Sequence, residues 1–172
     1  MAEYALKSIL KSRGEKGVKV TSAGISACDG DKINEKALIA LKNRGISAKH
    51  FVSKKITAET VKKQNAVVCM TAEQKRVFVG FYNVYCINEL TGSGDIPDPF
   101  GQSNEVYEKT LDVIFAACEK IADLLIKENR YIEFNKEQQK KQKEEKAAQK
   151  MKKIQEKQKT QKAQKEQKIQ AT

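Results

Sequence analysis

The sequence predicts an α/β sandwich built on a mostly parallel sheet, and three observations carry that expectation. Short apolar runs around 18–22, 66–70 and 84–87 read as strands. Amphipathic segments with capping residues fall between and after them. Past Asn129 the chain becomes Lys-, Gln- and Glu-rich without Pro or Gly, which divides it into a core-forming domain, 1–129, and a tail, 130–172.

Taken in order, Tyr4, Ala5, Leu6, Ile9 and Leu10 recur at helical spacing, and Gly14 stands where a C-terminal cap would. Because this helix has no capping residue ahead of Met1, the sequence raises the expectation that something precedes it. Val18 to Gly24 reads as a strand running into a turn. Asn34 caps a second helix, whose buried face carries Ala37, Leu38, Ala40 and Leu41 and which ends at Gly45. An extended piece covers 46–52, and Thr57 caps a short helix carrying Val61. The apolar run Ala66–Met70 suits a buried parallel strand. Thr71 and Gln74 form a capping box for a helix bearing Val77 and Phe78. Val84–Ile87 is the last strand, with a loop directly after it. Ser103 or Asn104 then caps the longest helix, where Tyr107, Leu111, Ile114, Cys118, Ile121 and Leu125 make a sheet-covering stripe. Three strands are few for such a sheet.

Chemistry is concentrated in the loop Thr91–Gly101, which contains both prolines of the chain. Pro97 and Pro99 restrict their own φ and push the preceding residue toward extended backbone, so Asp98 is given a fixed direction. In these folds ligands sit beyond the carboxyl ends of the strands, where this loop lies. A rigid surface turn with solvated aspartates stays open beside that reading.

The formal net charge of +11 belongs mostly to the tail, which carries 14 Lys+Arg against 6 Asp+Glu. The tail reads as a marginal helix or a disordered arm, with Glu137 and Lys141 as a helpful i,i+4 pair. It is either a solubilising extension or a weak contact to nucleic acid or an anionic surface. No apolar run approaches the roughly 20 residues that span a bilayer, so a transmembrane segment is not expected. Four cysteines without a Cys-x-x-Cys pair, and His50 alone, give no zinc-ligand set; the cysteines read as reduced thiols of a cytoplasmic protein, and no cofactor is expected.

Thiol-based phosphate chemistry needs a cysteine, five residues and an arginine in a strand-to-helix loop. Cys69 comes near, with Lys75 and Arg76 following, but the intervening residues lack glycine and include Glu73. Cys28 has no arginine at the right distance, and Cys86 and Cys118 look like core residues. None of the four is expected to be a nucleophile.

The order Met1-Ala-Glu-Tyr-Ala-Leu6, Thr21-Ser-Ala-Gly24, Val67-Val-Cys-Met-Thr71 and the loop 91–101 closely resembles the low-molecular-weight protein-tyrosine phosphatases over about residues 1–128. Asp-Pro-Phe-Gly at 98–101 is most similar to the branch of protein arginine phosphatases from Gram-positive bacteria. The resemblance implies a three-layer sandwich with a parallel sheet, phosphotyrosine phosphatase I-like, plus the Lys/Gln-rich helical or disordered tail. It implies a protein phosphatase for phosphotyrosine or phosphoarginine, working through a cysteinyl-phosphate. Asp98 matches the general acid, Phe100 the aromatic wall of the substrate pocket, and Ser22 a hydroxyl supporting the phosphate loop; His50 receives no role.

In the family, the loop of Cys, five residues, Arg, Ser, Pro comes immediately before the Met-Ala-Glu that starts this chain. The resemblance therefore implies that the central first strand, the nucleophile and the phosphate-binding arginine are absent from these residues. The sheet would then have a gap of roughly 10 Å between 18–22 and 66–69, with unpaired backbone on both flanks. An inactive chain of poor stability is expected, from a late start codon or a fragmentary gene model, with a true pseudophosphatase as the second reading. A non-catalytic binding module with a basic arm is the alternative from another class. A thiol-dependent arsenate reductase fits less well, since Cys69 and Cys86 lie in strands rather than on a loop.

Overall fold

A computed structural model describes residues 1–132 together with 140, 144 and 151. The chain divides into two units, Met1–Lys127 and Glu128–Thr172. In the first, α1 spans Ala2–Ser12, α2 Glu35–Asn43 and α3 Ala58–Lys62. Strand β1 (Val67–Cys69), α4 (Ala72–Arg76), β2 (Val84–Cys86) and α5 (Ile87–Thr91) follow. A last helix, α6, begins at 104 and continues to the end of this unit. In the second unit residues 128–132, 140, 144 and 151 are helical, and Lys140 and Glu144 form an i,i+4 ion pair at 3.9 Å. The expected Glu137–Lys141 pair lies outside the described residues.

The capping residues act as their chemistry dictates. Asn34 Oδ1 accepts from the Lys36 and Ala37 amides at 2.9 and 3.4 Å, and Thr57 Oγ1 accepts from Thr60 N at 3.1 Å. Gly45, just past α2, takes φ 72°, the left-handed value that ends a helix cheaply only at glycine. At α4 the capping box is shifted. Thr71 Oγ1 accepts from Gln74 N, but the Gln74 side chain accepts from Met70 N rather than from Thr71 N. The box therefore ties the helix start to the residue just after the strand.

β1 and β2 pair in parallel, with Val67 opposite Val84, Val68 opposite Tyr85 and Cys69 opposite Cys86. Residues of β1 alternate between two clusters. Cys69 and the partly buried Val67 join Val61, Val84, Phe78 and Phe81. Val68 and Met70 pack against the larger cluster built from α1, α2 and α6, with Leu41 and Leu111 at its centre. The period-2 direction of strand side chains thus places helices over both faces.

Three expectations are corrected. The run 18–22 forms no strand, because it has no sheet neighbour among the described residues and a strand exists only as part of a ladder. Gly24 alone makes a parallel bridge, with Lys55. The helix expected to carry Val77 and Phe78 stops at Arg76, and Val77 is 60% exposed. The third correction lies after β2, where α5 separates the strand from the loop. The Glu89 side chain accepts from Cys86 N at 2.8 Å, capping the helix from within its first turn.

Candidate active site

The loop begins where Gly92, at φ 66°, ends α5 in the left-handed conformation. Two anchors then fasten it near the carboxyl ends of β1 and β2. Ile96, buried, donates its amide to Met70 O at 2.9 Å. Asp95 accepts from Ala72 N at 2.9 Å through one oxygen, and from Asn88 Nδ2 at 3.1 Å and Cys86 Sγ at 3.6 Å through the other. One carboxylate therefore joins the start of α4, the end of β2 and α5, and the loop that follows stands on it.

Pro97 is exposed and Pro99 buried, so Asp98 projects from a backbone fixed on both sides. Its Oδ1 accepts from Phe100 N at 3.0 Å, and the chain turns back through Gln102 N to Pro99 O at 2.9 Å. Among the described residues, the other carboxylate oxygen has no donor. Phe100 is 75% exposed, an unusual position for a ring of that size. Burial pushes the Tyr107 phenol up, and the negative charge of Asp98 pushes it further.

Ser22 lies apart from this turn in its contacts. Its Oγ donates to Glu3 Oε2 at 2.5 Å, and Glu3 also accepts from Lys7. Burial alone would raise the Glu3 carboxyl, but the bonds from Lys7 and Ser22 outweigh it and hold the group below the usual carboxylate value. The residues Thr21–Gly24 are thereby tied to the first turn of α1. His50 is exposed in a turn.

Cys69, Cys86 and Cys118 are buried and burial pushes all three thiols up, Cys118 to about 11. Cys28 is exposed.

Asp95 and Glu89, which hold the loop and the helix before it, are residues that sequence reasoning overlooked. Glu89 left a signal, three residues past the end of a strand. Asp95 left none, because its partners Ala72, Cys86 and Asn88 lie 23, 9 and 7 residues back in the chain, at no spacing a local rule covers.

Among the described residues no helix is long and apolar enough to cross a membrane. The family model for low molecular weight phosphotyrosine protein phosphatase matches residues 1–131. A protein-arginine-phosphatase of Bacillus subtilis is 34% identical, across 76% of this chain and 90% of its own. The fold of the YwlE arginine phosphatase, solved as a mutant with phosphorylated active site serine, superposes with a TM-score of 0.69 at 33% identity, covering 75% of this chain and 88% of that one. A low molecular weight protein tyrosine phosphatase from Bacillus subtilis matches with a TM-score of 0.67 and 32% identity, over 74% and 89%.

Proposed function

Because the chain belongs to the low molecular weight phosphotyrosine protein phosphatase family and stands with its arginine phosphatase branch, we propose that it contributes the acid half of a phosphatase site for phosphotyrosine or phosphoarginine in proteins. The observation that carries this reading is the turn 98–100, an aspartate aimed by two prolines with an exposed ring beside it. Asp98 would protonate the leaving nitrogen or oxygen as the phosphoryl group moves to a thiolate, then take a proton from the water that releases it. Phe100 would form the apolar wall against which the substrate side chain lies. Ser22 would support a phosphate-binding loop from the Glu3 end of α1.

The nucleophile itself is not among these residues. No cysteine of the chain is followed, six positions on, by arginine, and no buried thiol is activated. We assign residues 1–129 to the phosphatase-like domain and 130–172 to a basic arm, and free thiols without metal-ligand spacing support a cytoplasmic location.

Purified chain given an aryl phosphate or a phosphoarginine peptide should therefore show no turnover above buffer, and Asp98→Asn should leave that baseline unchanged. Turnover that vanishes in Asp98→Asn yet survives alkylation of every thiol would contradict the cysteinyl-phosphate mechanism. A pseudophosphatase or a binding module with a basic arm is the alternative. It calls for affinity to nucleic acid that falls steeply with salt and is lost on deleting 130–172.

A further inference from the structure

β1 and β2 set two cysteines opposite each other in register. The Cα atoms of Cys69 and Cys86 pair in register, so both side chains leave the sheet on the same side, as do those of Val67 and Val84 one pleat earlier. Neighbouring strands stand about 4.7–4.9 Å apart, inside the Cα separation of roughly 4.4–6.8 Å that a disulfide spans. The two sulfurs also sense each other electrostatically, since ionisation of Cys69 is opposed by Cys86.

We propose that Cys69 and Cys86 form a disulfide on exposure to a peroxide, fastening β1 to β2. The neighbours differ in a way that assigns the order of events. Lys75 favours the anionic form of Cys69, while the Cys86 S–H is directed to Asp95 Oδ1 at 3.6 Å. The Cys69 thiolate attacks one peroxide oxygen, the O–O bond breaks, and the released hydroxide takes up a proton as water, leaving a sulfenic acid. The Cys86 sulfur then attacks the Cys69 sulfur and gives its proton to the Asp95 carboxylate; the sulfenic oxygen leaves and is protonated to a second water. In balance, two thiols and one peroxide give one disulfide and two waters. Asp95 loses a hydrogen-bond donor in the process but keeps those from Ala72 and Asn88.

Burial sets the rate. Desolvation raises both thiols, further opposed at Cys69 by Glu89 and at Cys86 by Asp95, and eased by Lys75 and by backbone amides at 87 and 88. Since the thiolate is the attacking form, the reaction should be slow at neutral pH and accelerate about tenfold per pH unit below the thiol pKa. Joining in-register parallel partners draws their Cβ atoms closer than the pleat places them, so reducing agents should open the bond readily.

The test treats the full chain with hydrogen peroxide, alkylates residual thiols after denaturation, and maps tryptic peptides without reduction. The expected product joins peptides 64–75 and 77–109, loses two alkylation sites, and reverts with dithiothreitol. Cys69→Ser and Cys86→Ser should each abolish it, whereas Cys118→Ser should not. A link from Cys28 in place of this one overturns the proposal. So does full alkylation of Cys69 and Cys86 after peroxide at pH 9, in chain shown by circular dichroism to be folded.

Discussion

Fusing an apolar strand that ends in Cys, five residues and Arg-Ser-Pro ahead of Met1 should convert the chain into a thiol-dependent phosphatase. One structural observation supports this outcome. In a parallel ladder alternate residues point to opposite edges, and Val67 already donates to Asn83 O at 2.9 Å, which turns the N–H and C=O of Val68 toward the edge away from β2. In the fused chain Asp98→Asn should lower kcat by about 10²–10⁴-fold, the usual worth of a positioned general acid. Replacing the added cysteine by serine should remove activity altogether. A fused chain that folds, yet turns over an aryl phosphate equally fast before and after the Asp98→Asn substitution, would contradict the role of the turn.

Leu111→Ala should cost about 2–5 kcal/mol, a large part of the roughly 5–15 kcal/mol that holds a typical domain together. Leu111 is 0% exposed at the centre of the larger cluster, where residues of α1, α2, α6 and the loop meet. Leu124→Ala on the same helix, at 47% exposure, should change stability by no more than about 0.5 kcal/mol. Urea unfolding followed by circular dichroism distinguishes them. Equal midpoints for the two variants would mean that α6 does not organise the core.

Local rules made most of the fold legible. Asn34, Thr57 and Thr71 cap the helices that follow them, and the three-and-four spacing from Tyr107 to Ile121 marked the buried face of α6. What local rules could not show was whether an apolar, β-branched run finds a partner. Val18–Ser22 has the composition of a strand and no ladder, whereas Val67–Cys69 has both. For the candidate site, the prolines around Asp98 announced the turn. The carboxylate that fastens the loop, Asp95, is defined only by contacts distant in sequence, and no spacing rule reaches them.

The division of the apolar residues into two clusters bears on how the molecule breathes. Among the described residues the smaller holds three buried ones, Val61, Cys69 and Val84, against sixteen in the larger. On its other face β1 reaches the larger cluster through the partly buried Val68, so the β1–β2 pair is held to the main core less firmly than α6 is. Amide hydrogens of Cys69 and Tyr85 should therefore exchange with solvent through a partial opening, well before those of Leu111 and Cys118, which wait for global unfolding. The sheet that supports the loop is then the first part of the domain to loosen, while the helical side still holds its shape.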